Sequence, residues 1–84
     1  MQLSIVPSPF TYGTTLRYRI PAPSRVRVTV YDLTGRWVAT LSDRVQAAGP
    51  HEVSFDGRGR PAGLYVFRLT SDFGNVTRKA LLLR

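Results

Sequence analysis

Apolar residues recur at period two along nearly the whole chain, and no stretch sustains the i, i+3, i+4 spacing of a helix. The pattern therefore predicts an all-β fold. Leu3 to Val6 reads as a short first strand, stopped by Pro7-Ser8-Pro9, whose ring nitrogens cannot donate to a ladder. Thr14 to Ile20 places Leu16, Tyr18 and Ile20 on one face and Arg17 and Arg19 on the other. Arg25 to Asp32 repeats this, with Val26, Val28 and Val30 inward and Arg25, Arg27, Thr29 and Tyr31 outward. Asp32-Leu33-Thr34-Gly35 is a turn signal leading into a returning strand from Trp37 to Leu41.

Ser42 to Pro50 reads as irregular, ending in the breaker Ala47-Ala48-Gly49-Pro50. His51 to Asp56 alternates again, with Val53 and Phe55 inward, and a Gly- and Arg-containing loop comes next. Gly63 to Thr70 is apolar on both faces, which predicts a central strand. Its outward Leu64 and Val66 call for cover, and the last strand, Val76 to Leu83, is its expected neighbour. About seven short strands, with turn signals roughly every 8–12 residues, form the profile of a small antiparallel sandwich. The expected core is Leu16, Tyr18, Val26, Val28, Val30, Val53, Phe55, Tyr65, Phe67 and Leu69.

Length sharpens this picture. A chain of 84 residues buries only roughly 60–65% of its unfolded surface, so its large apolar side chains are needed for one core and few remain for a deep cleft. One domain, 1–84, is expected. No apolar run approaches the roughly 20 residues of a membrane-spanning helix. With no cysteine there is no disulfide and no thiolate metal site. The opening residues lack a basic and apolar leader, which suits a module excised from a longer secreted protein.

The charge of +7 and pI near 11.1 would suit nucleic acid, but the arginines are dispersed over every segment and no specific nucleic-acid partner is expected. Candidate chemistry is sparse. His51 is the sole histidine, placed at a strand end. Asp32, Asp43, Asp56 and Asp72 read as turn residues beside Gly or Ser, where local bonding to backbone accounts for them. No catalytic residue, metal ligand set or cofactor site is expected, and the chain reads as non-enzymatic. Tyr31 and Trp37 face each other across the hairpin, an aromatic pair that could stack on a sugar or serve the hairpin alone.

Several motifs occur together: Pro7-Ser8-Pro9-Phe10, Thr14-Thr15-Leu16-Arg17-Tyr18, Val30-Tyr31-Asp32-Leu33-Thr34-Gly35-Arg36, Ala47-Ala48-Gly49, Pro61-Ala62-Gly63-Leu64-Tyr65 and Arg78-Lys79-Ala80-Leu81-Leu82-Leu83. In this order the chain resembles the C-terminal sorting domain of proteins exported by the type IX secretion system of the Bacteroidetes group. It is also similar to the related immunoglobulin-like domain of the flagellar hook-capping protein. The resemblance implies an immunoglobulin-like β-sandwich at the end of a larger passenger, reaching the cell surface through periplasm and outer membrane. It further implies reading by the outer-membrane translocon, removal by a sortase-like protease, and release of the passenger or its attachment to anionic lipopolysaccharide. The residues it singles out for recognition are Gly35, Arg36, Gly63, Tyr65, Lys79, Leu81, Leu82 and Leu83. Gly35, Gly63 and Tyr65 also have purely structural uses, in a turn, a bend and the core. The family's usual Pro-Asn-Pro is Pro7-Ser8-Pro9 here. Two other readings stay open: a carbohydrate-binding or spacer module using Tyr31 and Trp37, and a structural hook-cap domain.

Overall fold

The computed structural model describes residues 2–83. Seven strands run in chain order: β1 (Leu3–Val6), β2 (Gly13–Ile20), β3 (Ser24–Asp32), β4 (Trp37–Gln46), β5 (Gly49–Asp56), β6 (Gly63–Ser71) and β7 (Gly74–Leu82). They form a three-stranded sheet, β1-β2-β5, and a four-stranded sheet, β4-β3-β6-β7, with every strand pair antiparallel. This is an immunoglobulin-like antiparallel β-sandwich, as the alternation and turn spacing predict.

The inward rows of both sheets supply the core. Leu16, Tyr18 and Ile20 of β2 and Phe55 of β5 face Val26, Val28 and Val30 of β3 and Tyr65, Phe67 and Leu69 of β6, all buried. Leu3, Phe10, Ala80 and Leu82 join them. Val53, expected in the core, is only partly buried against it: on β5, an edge strand of the smaller sheet, Phe55 alone is buried. Thr29 points outward as expected yet is only 6% exposed, hemmed in by its register partners Thr40 and Arg68. As expected from its two apolar faces, β6 lies between β3 and β7.

The main departure is β4. Residues 42–46, expected to be irregular, continue the strand and pair with Val28 through Ser24, after register shifts at Val28/Thr29 and Val30/Tyr31. The usual placing of polar residues outward and apolar ones inward is reversed at three of these positions. Ser42 and Gln46 sit opposite the inward Val28 and Ser24, while Val45 points out and is exposed. Gln46 can be buried because its Oε1 accepts a 2.7 Å hydrogen bond from the Tyr18 hydroxyl. Asp43 consequently belongs to a strand and not to a turn, and it pairs with Arg25 and Arg27 at 3.0 and 3.7 Å. Gly49 and Pro50, read as part of a breaker, begin β5, where Pro50 pairs with Arg19 on an edge strand that tolerates its missing donor.

Phe67 is fully buried in the middle of the central strand. Phe67→Ala is expected to lower unfolding free energy by about 3–5 kcal/mol, measured by urea denaturation followed by circular dichroism. A change within error would show that the core does not run through β6.

Candidate functional site

The β3–β4 hairpin turn is built around one carboxylate. Asp32 Oδ1 accepts from the Thr34 amide (2.9 Å), the Thr34 hydroxyl (2.6 Å) and the Arg36 amide (3.0 Å). Oδ2 accepts from Arg36 Nε at 3.1 Å. The backbone closes on itself through Gly35 N–H to Asp32 C=O and Asp32 N–H to Arg36 C=O. Gly35 takes φ +89°, a conformation with little cost only for a residue without Cβ. With its charge held by these donors, first of all the Thr34 hydroxyl, the Asp32 carboxyl is pulled down to about 2.

A second motif comes to the same end of the sheet. Gly63, also at positive φ (145°), turns the chain into β6, and the buried Tyr65 donates its hydroxyl to Pro61 C=O at 2.6 Å. Asp32 and Tyr65 are register partners. The turn and the start of β6 therefore border one open cleft of about 440 Å³, lined among others by Arg36, Arg60, Gly63 and Leu64. Gly35 and Arg36 are thus brought close to Gly63 and Tyr65, although almost thirty residues separate the two motifs.

The terminal segment meets this end from the other side. Leu64 pairs with Leu81 and Val66 with Lys79 on the outer face of the sheet. Leu81 and Leu64 are each 38% exposed, and Lys79 is exposed. The run Leu81-Leu82-Leu83 does not act as one patch: Leu82 is 1% exposed and belongs to the core, whereas Leu83 is 40% exposed. The period of two divides the three leucines between faces. The register pairs Trp37–Tyr31, Tyr31–Val66 and Val66–Lys79 join into a single row across all four strands. Trp37, at its edge, is 63% exposed and donates its indole N–H to Thr40 Oγ1 at 3.0 Å.

The polar groups with potential for acid–base chemistry are occupied locally. The His51 ring stacks on Tyr18 (centroids 5.7 Å apart), and its Nε2 lies 2.7 Å from Ala47 C=O, to which it donates in the protonated tautomer. Asp56 accepts from the Arg58 amide and guanidinium, and the guanidinium bond, first of all, lowers its pKa. Glu52 pairs with Arg17 at 3.3 Å. Among the described residues, no group of three His, Asp or Glu is placed to hold a metal ion, and no helix is long and apolar enough to cross a membrane.

A family model described as the secretion system C-terminal sorting domain matches residues 4–82. No curated protein matches the chain.

The Asp32 turn gives a pH prediction. Its carboxyl titrates near 2 in the folded chain and near 3.9 when unfolded. The stability contributed by its charge is therefore fully present above about pH 4 and is lost as pH falls toward 2. Asp32→Asn should be less stable than the parent at pH 7, and urea midpoints of the two proteins should converge as pH is lowered through this window. A constant difference down to pH 2 would contradict the role of the charge.

Proposed function

The chain belongs to the family of secretion system C-terminal sorting domains, and from that premise we propose that it is the non-catalytic address of a larger exported protein, read at the end of the four-stranded sheet. Membership makes it a type IX sorting domain, a module of proteins destined for the cell surface or the medium. The translocon takes the outer face formed by Leu64, Leu81 and Lys79, with the Gly35-Arg36 turn and the Gly63-to-Tyr65 bend as its border. A sortase-like protease then removes the domain, and the passenger is released or joined to anionic lipopolysaccharide.

The observation that carries this reading is the convergence of three separate motifs on one end of one sheet. Arg36 and Gly63 share a cleft, while Leu64 and Leu81 are cross-strand partners. Core packing accounts for Tyr65 and Leu82, but it does not require exposed leucines beside an exposed lysine. Exposed apolar side chains flanked by charge are the usual composition of a docking surface.

A second reading rests on the exposure of Trp37 and its pairing with Tyr31. Such a pair can stack on a sugar ring. Calorimetry with xylan, cellulose and mannan oligosaccharides separates the two readings: no heat is expected, and an isotherm abolished by Trp37→Ala would favour sugar binding.

The export test joins residues 1–84 to a signal peptide and a fluorescent reporter in a host with type IX secretion. The intact fusion should reach the surface, and deletion of Arg78 to Arg84 should leave the reporter in the periplasm. Lys79→Ala should reduce surface display while leaving the urea midpoint nearly unchanged, because an exposed side chain contributes little to stability. Periplasmic retention of the intact fusion would overturn the proposal.

A further inference from the structure

The end of β7 is fastened by a residue that belongs to neither sheet. Phe10, in the connector between β1 and β2, makes a parallel bridge to Leu82. Its N–H donates to Leu81 C=O at 2.9 Å, and its C=O accepts from the Leu83 N–H at 2.8 Å. These two bonds bracket Leu82 and occupy the free backbone edge of the terminal segment. The Phe10 side chain is 2% exposed and meets the Phe55 ring edge-on, with centroids 6.1 Å apart. It is therefore fixed by the same core that buries Leu82.

A third segment closes the junction. Gly57 donates its N–H to Tyr12 C=O at 2.6 Å. A Cβ at this position would lie 2.9 Å from that oxygen, 3.0 Å from a Phe10 ring carbon and 3.2 Å from a Leu82 methyl. Gly57 is absent from the glycines with positive φ, so it is required for space and not for backbone conformation. Since its nearest neighbour is a backbone oxygen, a side chain here cannot be accommodated by rotating one away.

We propose that Phe10 and Gly57 are positioning residues for the terminal recognition segment: they lock Leu82 inward so that Leu81 and Leu83 are held outward. The functional part of this inference rests on the reading of that segment as part of the surface taken by the export machinery. Its consequence is that the signal at the C-terminal strand depends on Phe10, far from it in sequence. Without the junction, the last residues of β7 have no partner on their free edge and fray, as strand ends with few buried contacts do.

The test compares the parent, Phe10→Ala, Phe10→Leu and Gly57→Ala with Val28→Ala, a core truncation away from the junction. Global stability is measured for each by urea denaturation, and amide hydrogen exchange is followed by NMR. The Phe10 and Leu83 amides should exchange roughly tenfold or more faster in Gly57→Ala and Phe10→Ala than global stability explains. Phe10→Leu, which keeps an apolar plug, should be intermediate and stays informative if Phe10→Ala does not fold. In Val28→Ala the same amides should track global stability alone.

Surface display of the reporter fusion should fall in the junction variants and persist in Val28→Ala. Unchanged relative exchange at Leu83 would overturn the lock. Faster exchange with display equal to that of Val28→Ala would overturn its role in recognition. If the parent fusion itself is not displayed, the sorting reading fails, while the exchange experiment still decides whether Phe10 and Gly57 hold the terminus.

Discussion

The Phe55 ring is the contact on which the rest of the structure depends. It sits on an edge strand of the smaller sheet, its centroid 5.5 Å from that of Phe67 and 5.7 Å from that of Tyr65 on a central strand of the larger one, and 6.1 Å from that of Phe10 in the connector. The Arg60 guanidinium covers it from the loop, 5.6 Å from its centroid. The contacts with Phe67 and Phe10 are edge-to-face and that with Tyr65 is tilted, and edge-to-face contacts are directional as well as apolar. One side chain thereby sets the spacing of the sheets, the seat of the connector and the lie of the loop that leads into β6. In a chain of 84 residues, with a small core and no disulfide, such a hub carries an unusual share of the tertiary constraint.

That hub lies directly under the proposed recognition end. Tyr65 and Phe67, which it orients, alternate with Leu64 and Val66, which face outward. Phe10, which it seats, fastens the strand bearing Lys79 and Leu81. The outer surface is therefore a consequence of inner packing: Leu64 adjoins the buried Tyr65, Lys79 adjoins the buried Ala80, and Leu81 lies between the buried Ala80 and Leu82. The Asp32 turn works in the same way on a local scale, since one carboxylate satisfies the donors of the turn and holds Arg36 at the rim of the cleft.

Most of the fold was legible from alternation alone, because strands such as β2 and β3 bury apolar residues on one phase and expose polar ones on the other. The far half of β4 was not, since polar Ser42 and Gln46 lie on the inward phase and Val45 on the outward one. The burial of Gln46 needs Tyr18 from another strand, and nothing local announces that bond. Phe10 was missed from the core for a related reason: in the short connector it stands two residues from Tyr12, and nothing local says that Phe10 is buried while Tyr12 is 72% exposed. Gly57 reads as an ordinary loop glycine until its spatial neighbours are known. The candidate site was legible as separate motifs and as an outward Leu64 and Val66 beside the last strand, while the specific pairing of Leu64 with Leu81 emerged only with the register.

In the proposed reading the signal is a surface composed by the folded sheet and not a linear tail. Leu64 separates these cases most directly, since it lies outside the last strand yet beside Leu81, and its partial exposure makes a polar replacement tolerable for the fold. The decisive measurement is surface display of the reporter fusion carrying Leu64→Gln, with its urea midpoint determined in parallel. The expected result is a midpoint close to the parent's and a marked loss of display. Display equal to the parent's, at equal stability, would contradict it.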